Sequence, residues 1–201
     1  MVIVDAVACS GEFALYASRR IGPKGRVLML EPDSQNVAIA QRLFDHNGGW
    51  PVNVTLVPKG LWRTAGTLQF AAGLGQCSVL LEGAGEAVQW ARHALSRGEG
   101  RVVDLDVVNL PSLVSEFGLH RLDLVKMDIE GAEIEAIEGA AGVMQTLRPR
   151  FSIASYHRRD GRRTCDLLEP MFRAAGYHVR TAYPVHLTTY AAADPLPATI
   201  R

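Results

Sequence analysis

The sequence has 201 residues, 48% of them hydrophobic, with 21 Lys and Arg matched by 21 Asp and Glu. That is enough chain to bury a large core without disulfide or metal staples. A formal charge of zero and 21% charged residues exclude a general nucleic-acid or membrane-surface binder and a disordered chain, and no apolar run nears the ~18–20 residues of a membrane-spanning helix.

Val2-Ile3-Val4 opens the chain as a short β-branched strand. It leads through Gly11 into a helix over 12–20, where Phe13, Leu15, Tyr16 and Ala17 give the apolar positions. Gly22-Pro23-Lys24-Gly25 is a turn, and 26–30 is a second strand ending at Glu31-Pro32. Asp33 or Ser34 can cap the next helix, which carries Val37, Ile39, Ala40, Leu43 and Phe44 and stops at His46-Asn47-Gly48-Gly49. Residues 53–57 are a third strand. Residues 61–64 and 67–70 flank Ala65-Gly66 as a hairpin, 71–85 read as a loop, and 86–96 as a helix. A strand over 101–110 and a short helix over 111–117 follow. Then come a strand (122–127), one helix (131–147), a strand (151–156) and a helix (163–175) closed by Gly176. Two last strands, 177–182 and 186–190, are separated by Tyr183-Pro184. Continuous apolar strands joined by helices predict a parallel sheet covered on both faces, the doubly wound α/β class, as one domain over 1–201. Cys9, Cys77 and Cys165 form no Cys-x-x-Cys pair, and no signal peptide is visible, so the expected location is cytoplasmic.

In open α/β sheets, ligands bind at the carboxyl ends of the strands. Asp5 to Gly11 follow the first strand, Glu31 the second, Lys59-Gly60-Leu61-Trp62 the third, Asp128-Ile129-Glu130-Gly131 the fourth and His157 the fifth. A loop opening a helix offers N–H groups, and a carboxylate ending the next strand can accept both hydroxyls of a ribose. The first loop lacks Gly-x-Gly-x-x-Gly, a P-loop lysine is missing too, and no Tyr-x-x-x-Lys pair supports a nicotinamide-dependent reductase. It looks more like the S-adenosylmethionine loop Asp-x-Gly-x-x-x-Gly. Asp5 and Gly11 match it, and Val7 replaces the middle glycine, where close backbone approach and unusual φ are needed. Glu130 and Glu133 at a helix start have a bland explanation in the helix dipole, whereas Asp128 at a strand end points into the crevice.

The run from Leu124 to Glu133, with its Lys126-x-Asp128-x-Glu130-Gly131-x-Glu133 core, resembles the signature of the FkbM family of S-adenosylmethionine-dependent methyltransferases. So do Val4-Asp5 through Gly11-Glu12-Phe13, Glu31-Pro32-Asp33 and Asn53 to Leu56 with Gly66-Thr67-Leu68; the resemblance covers nearly the whole chain. It implies a Rossmann-like, mostly parallel seven-stranded sheet with its last strand antiparallel. It implies S-adenosylmethionine as cofactor, held by Asp5, Ala8, Ser10, Gly11, Glu31, Pro32, Gly60, Leu61 and Asp128. It also implies covering residues before the first strand, expected here to be absent, and a small molecule or sugar as acceptor.

The expected reaction is methylation of a hydroxyl, yielding S-adenosylhomocysteine. His157 is expected as general base, with Asp128 orienting either it or the substrate hydroxyl and Glu130 alongside, because neighbouring fourth and fifth strands bring their ends together. Lys126 is expected to pair with an acid, Trp62 to lie in the core or flank adenine, and Ser78 to face the acceptor. His46, His93, His120 and His178 are expected at the surface, and His186 near the pocket. Metal assistance by Asp128 is open in principle, but no second and third ligand can be named from sequence, and no metal is expected. Neither nucleic acid nor membrane is expected as partner; an open sheet edge and a bare first strand would favour self-association, but the sequence does not fix the oligomeric state. The alternative is a degenerate, non-catalytic protein of this fold with weakened cofactor binding, motivated by Val7.

Overall fold

The computed structural model describes residues 1–183 and 185–197; Pro184, part of the expected break between the last strands, lies outside the described residues. In chain order the elements are β1 (Val2–Ala6), α1 (Glu12–Ile21), β2 (Arg26–Leu30), α2 (Ser34–His46), β3 (Val54–Val57), β4 (Gly60–Leu61) and β5 (Gly66–Ala72). A 3-10 turn (Gly75–Cys77), β6 (Val79–Leu80), α3 (Glu86–Ser96), β7 (Arg101–Val108), α4 (Leu110–Glu116) and β8 (Leu124–Met127) follow. The chain continues through α5 (Glu133–Glu138), α6 (Ala141–Thr146), β9 (Arg150–Ala154), β10 (Arg158–Arg159), β11 (Arg162–Arg163), α7 (Thr164–Ala174), β12 (His178–Ala182) and β13 (Thr188–Ala192).

Seven strands form the main sheet in the order β12-β13-β9-β8-β1-β2-β3, and β13 alone runs against the others. This is the expected α/β sheet with its antiparallel last strand. Alternation along each strand divides the core in two. Ile3, Val27 and Met29 pack with Ala14, Leu15, Ala40 and Phe44 of α1 and α2. Val4, Ala6, Leu28 and Leu30 point the other way, into the larger cluster with Leu110, Leu113, Ile137, Met144, Leu168 and Phe172. Burying both faces explains why β1 and β2 read as near-continuous apolar runs. Gly11 is required where α1 meets α2. Its φ is +82°, and a Cβ there would stand 3.0 Å from both Ala40 and Phe44. The Asp33 side chain caps α2 by accepting from Gln35 N at 2.9 Å. Chain order reverses between β1 and β8, which places the ligand crevice above their carboxyl ends.

Several elements differ from the sequence reading, among them an unforeseen β10–β11 hairpin. Residues 61–64 and 67–70 do not pair with each other. β7 lies between them, parallel to β4 and antiparallel to β5, in a second sheet ordered β4-β7-β5-β6. The Ala65-Gly66 turn is real, but the eight-residue β7 offers each flank a partner that local sequence cannot reveal. The 71–85 loop contains the end of β5, the 3-10 turn and β6. Leu110 belongs to α4 rather than to β7, because Asn109 Oδ1 caps that helix by accepting from Ser112 N at 2.8 Å. The single helix expected over 131–147 is α5 and α6, broken at Gly139. The Arg63 carbonyl approaches that glycine so closely that a Cβ would lie 2.5 Å from it. Among the described residues no helix is long and apolar enough to cross a membrane.

Candidate active site

β1 ends at Ala6, and the chain turns at once, with Val7 at φ 54° and Cys9 at φ 49°. Positive φ at a β-branched residue is a strained backbone state. The turn lays the Cys9 amide on Glu31, donating to Oε2 at 2.7 Å. Asp33 N at 2.9 Å and Asn36 Nδ2 at 3.2 Å donate to Oε1. Burial pushes the Glu31 carboxyl up to about 7 even with these donors around it. Asp5 is wholly buried below the turn, 3.1 Å from Lys126 Nζ. Burial raises its pKa, and Lys126 opposes that rise. Lys126 also donates to the Val7 carbonyl at 3.1 Å, so it pairs with an acid, as its place in the strand suggested, and pins the turn.

Two cavities meet at Val7. One, of about 510 Å³, is polar and opens above β1 and β8; Ala8, Ser10, Lys126, Asp128, Glu130 and Tyr156 line it, with Phe13 and His186. The other is an apolar slot of about 20 Å³ between Pro32, Gly60, Leu61, Leu80, Ile129 and Ala132. The expected cofactor residues therefore divide. Ala8, Ser10 and Asp128 face the open cavity, Pro32, Gly60 and Leu61 the slot, and Asp5, Gly11 and Glu31 lie buried beneath. Trp62 belongs to the core, its ring under the Arg63 guanidinium. Ser78 lines the slot rather than the acceptor side, because its hydroxyl donates to Asp33 Oδ2 at 2.8 Å. His46, His93, His120 and His178 are exposed.

The ends of β8 and β9 do come together. His157 Nε2 lies 3.5 Å from Glu130 Oε2 and 3.9 Å from Asp128 Oδ1, and Nδ1 lies 3.1 Å from Glu133 Oε1. His157 is buried and does not line the polar cavity; with Glu130, Tyr156 and Trp90 it lines a separate one of about 310 Å³ on the other side of the acids. Burial works against a charged ring, but its contacts with Glu130 and Glu133 outweigh that and push it up to about 10. An imidazolium at neutral pH donates protons rather than accepting them. Asp128 is raised by burial, against the attraction of Lys126 and His157. Tyr156 donates to Asp128 Oδ1 at 3.4 Å. Glu133 is fully buried and accepts from the Ile129 and Gly131 amides, each at 3.2 Å, so it does more than favour a helix dipole.

The chain matches the Methyltransferase FkbM domain over residues 5–179. It belongs to the FkbM methyltransferase family. It is 31% identical over 155 residues to the methyltransferase sdnD of Sordaria araneosa, an alignment covering 68% of this chain and 59% of that protein. It is 26% identical to part of the AMB antimetabolite synthetase AmbE of Pseudomonas aeruginosa, covering 89% of this chain and 10% of the synthetase. The chain thus spans about three-fifths of one curated relative and a tenth of the other. Among solved structures, the FkbM methyltransferase of Methylobacillus flagellatus superposes with a TM-score of 0.63 at 19% identity, over 94% of this chain and 42% of that one. The fibrillarin of Aeropyrum pernix, solved with natively bound S-adenosylmethionine, shares the fold with a TM-score of 0.54 at 13% identity, over 94% of this chain and 65% of its own.

The ten-residue segment 124–133, within the residues that match the family, thus supplies three walls of the cluster, Asp128, Glu130 and Glu133. Sequence reasoning missed Tyr156 and Phe13 at the cavity and the Glu135–Arg159 pair (2.7 Å) that ties the β10–β11 hairpin to α5. Tyr156 had one available signal, its place between a strand end and His157.

Proposed function

We propose that this FkbM-family chain methylates a hydroxyl on a small molecule, using S-adenosylmethionine. The observation that carries this reading is the pairing, across Val7, of an apolar slot beside buried Glu31 with a polar cavity ending on Asp128. The residues fit an adenosine. Gly60 lines the slot, and a Cβ there would lie 3.1 Å from Val107 and 3.5 and 3.6 Å from the slot residues Leu105 and Leu80. Glu31 is an acceptor whose present donors can be exchanged for ribose hydroxyls. The slot, about 20 Å³, is too small for a purine as it stands, so this reading requires Leu61, Leu80 and Ile129 to part on binding. When bound, the cofactor supplies a methyl group on a sulfonium. Asp128 faces the cavity and takes the acceptor's hydroxyl proton, and Glu130 flanks it. His157, behind them, holds these carboxylates in place rather than touching the acceptor, a different role from general base.

Two measurements test this. Calorimetric titration with S-adenosylhomocysteine should give one micromolar site. Incubation with methyl-labelled donor and a panel of hydroxyl-bearing small molecules should give an alkali-stable labelled ether. Label in an alkali-labile ester, or on nitrogen or carbon, would overturn the choice of oxygen. A second reading, a degenerate non-catalytic member, draws on strained Val7 and on the Cys9 amide lying on Glu31. Absence of S-adenosylhomocysteine binding would select it.

A further inference from the structure

We propose that Asp128 Oδ1, Glu130 Oε2 and His157 Nε2 form a binding site for a first-row divalent cation such as Mn²⁺. The three atoms lie within 4.8 Å of one another. Donors held at about 2.1 Å from one ion stand roughly 3 Å apart, so modest side-chain rotations close the set.

The second, independent observation is the histidine itself. Its side chain is only 7% exposed, and Nε2, aimed at the two carboxylates, makes no hydrogen bond. With only carboxylates in front of it, that nitrogen is satisfied either by carrying a proton, as in the imidazolium, or by ligating a cation in the proton's place. A cation satisfies it and both acids at once. On the far side of the ring, Nδ1 faces Glu133 Oε1 at 3.1 Å, the arrangement by which a carboxylate behind a ligating histidine fixes its orientation. Glu133 is itself anchored by the Ile129 and Gly131 amides.

The charge balance points the same way. Asp128, Glu130 and Glu133 surround one imidazole. Lys126 attracts Asp128 but makes its ion pair with Asp5, and Arg159 is paired with Glu135. Two oxygens and one nitrogen favour ions that accept imidazole over Mg²⁺ or Ca²⁺. Asp128 and Glu130 also line the open cavity, so the remaining coordination positions face it. A cation there could hold and acidify an acceptor hydroxyl. That role rests on the methyltransfer reading above; the binding of the cation does not.

The test is titration of the intact chain with Mn²⁺, followed by electron paramagnetic resonance, beside calorimetry with S-adenosylhomocysteine. We expect one Mn²⁺ per chain, bound tighter than about 100 µM. Glu130→Gln and His157→Gln should each weaken it by at least about tenfold, and Glu133→Gln by roughly 10–100-fold through the histidine. Thermal melts followed by circular dichroism establish that each variant is folded; Glu130→Gln is isosteric and partly exposed, so it keeps the test alive if the buried variants unfold. No saturable Mn²⁺ binding, or equal affinity in wild type and Glu130→Gln, overturns the site. Mn²⁺ binding without S-adenosylhomocysteine binding supports the site and defeats the methyl-donor reading. The converse result defeats the site alone.

Discussion

At the end of β2 a single buried carboxylate, Glu31, sits among three N–H donors, whereas at the ends of β8 and β9 three carboxylates crowd one imidazole. Both lie on the carboxyl edge of one sheet. A buried charge persists only when it is paired or hydrogen-bonded. At Glu31 neutral donors do this, so each can be exchanged for a hydroxyl without changing the charge of the site. At Asp128, Glu130 and Glu133 acids outnumber donors, and the region answers to protons and cations instead. The first region is suited to recognising a ribose and the second to handling a reacting hydroxyl.

The largest effect expected is on chemistry at the acidic end. Asp128→Asn keeps the shape of the cavity and removes the proton acceptor. Turnover with an accepted substrate should fall about 10²–10⁴-fold in a labelled-methyl assay. A loss smaller than about tenfold would move the chemistry off this pole. Next comes stability. Glu133→Ala strips the imidazole of a fully buried partner and leaves two amides unpaired. Urea unfolding should report a loss of about 3–5 kcal/mol. Glu31→Gln retains an acceptor oxygen, so it should cost far less. Similar losses in the two variants would erase the contrast.

The pH dependence sharpens the comparison further. Glu31 carries a folded-state pKa of about 7 against 4.5 for a free carboxyl. Between those values the folded chain holds the proton more tightly than the unfolded chain. Stability contributed by Glu31 is therefore full below pH 4.5 and is lost as pH rises through 7. The loss is about 3 kcal/mol at most. Unfolding midpoints of wild type minus Glu31→Gln across this window should show that slope. Over the same window S-adenosylhomocysteine should bind more tightly as pH rises, because the ionised carboxylate accepts from both ribose hydroxyls.

These two regions were not equally legible in the sequence. Glu31 and Asp128 announced themselves as acids ending apolar runs, and the parallel order of the sheet followed from those same runs. The signature segment also named Glu130 and Glu133, but not what they face. His157 follows another strand, and its state depends on burial and on the three carboxylates that only the fold brings it against. The second sheet was hidden for the same reason. β4 has two residues, and its partner, β7, lies some forty residues further along, across the 3-10 turn and α3. Local turn chemistry at Ala65-Gly66 signalled a reversal, but not that a third strand would fill it.

The smallest effect, and the one that bears most on whether the Glu31 region works, is at Val7. An L residue in the left-handed region costs roughly 1–2 kcal/mol, and Val7 holds φ 54°. Val7→Gly relieves that strain, but it adds about 0.5–1 kcal/mol of backbone entropy to the unfolded chain. It also removes a partly buried side chain that packs on the main core. These terms oppose one another, so stability should change by no more than about 1 kcal/mol. Affinity is different, because Val7 lines both the slot and the open cavity and stands between them. Removing its side chain joins the two, and S-adenosylhomocysteine should bind about 3–10-fold more tightly by calorimetry. Val7→Ala separates the causes, since it removes bulk and keeps a Cβ at positive φ. If alanine gains as much as glycine, the side chain was the obstacle. If only glycine gains, the turn must move its backbone, and with it the Cys9 amide, before Glu31 can take a ribose.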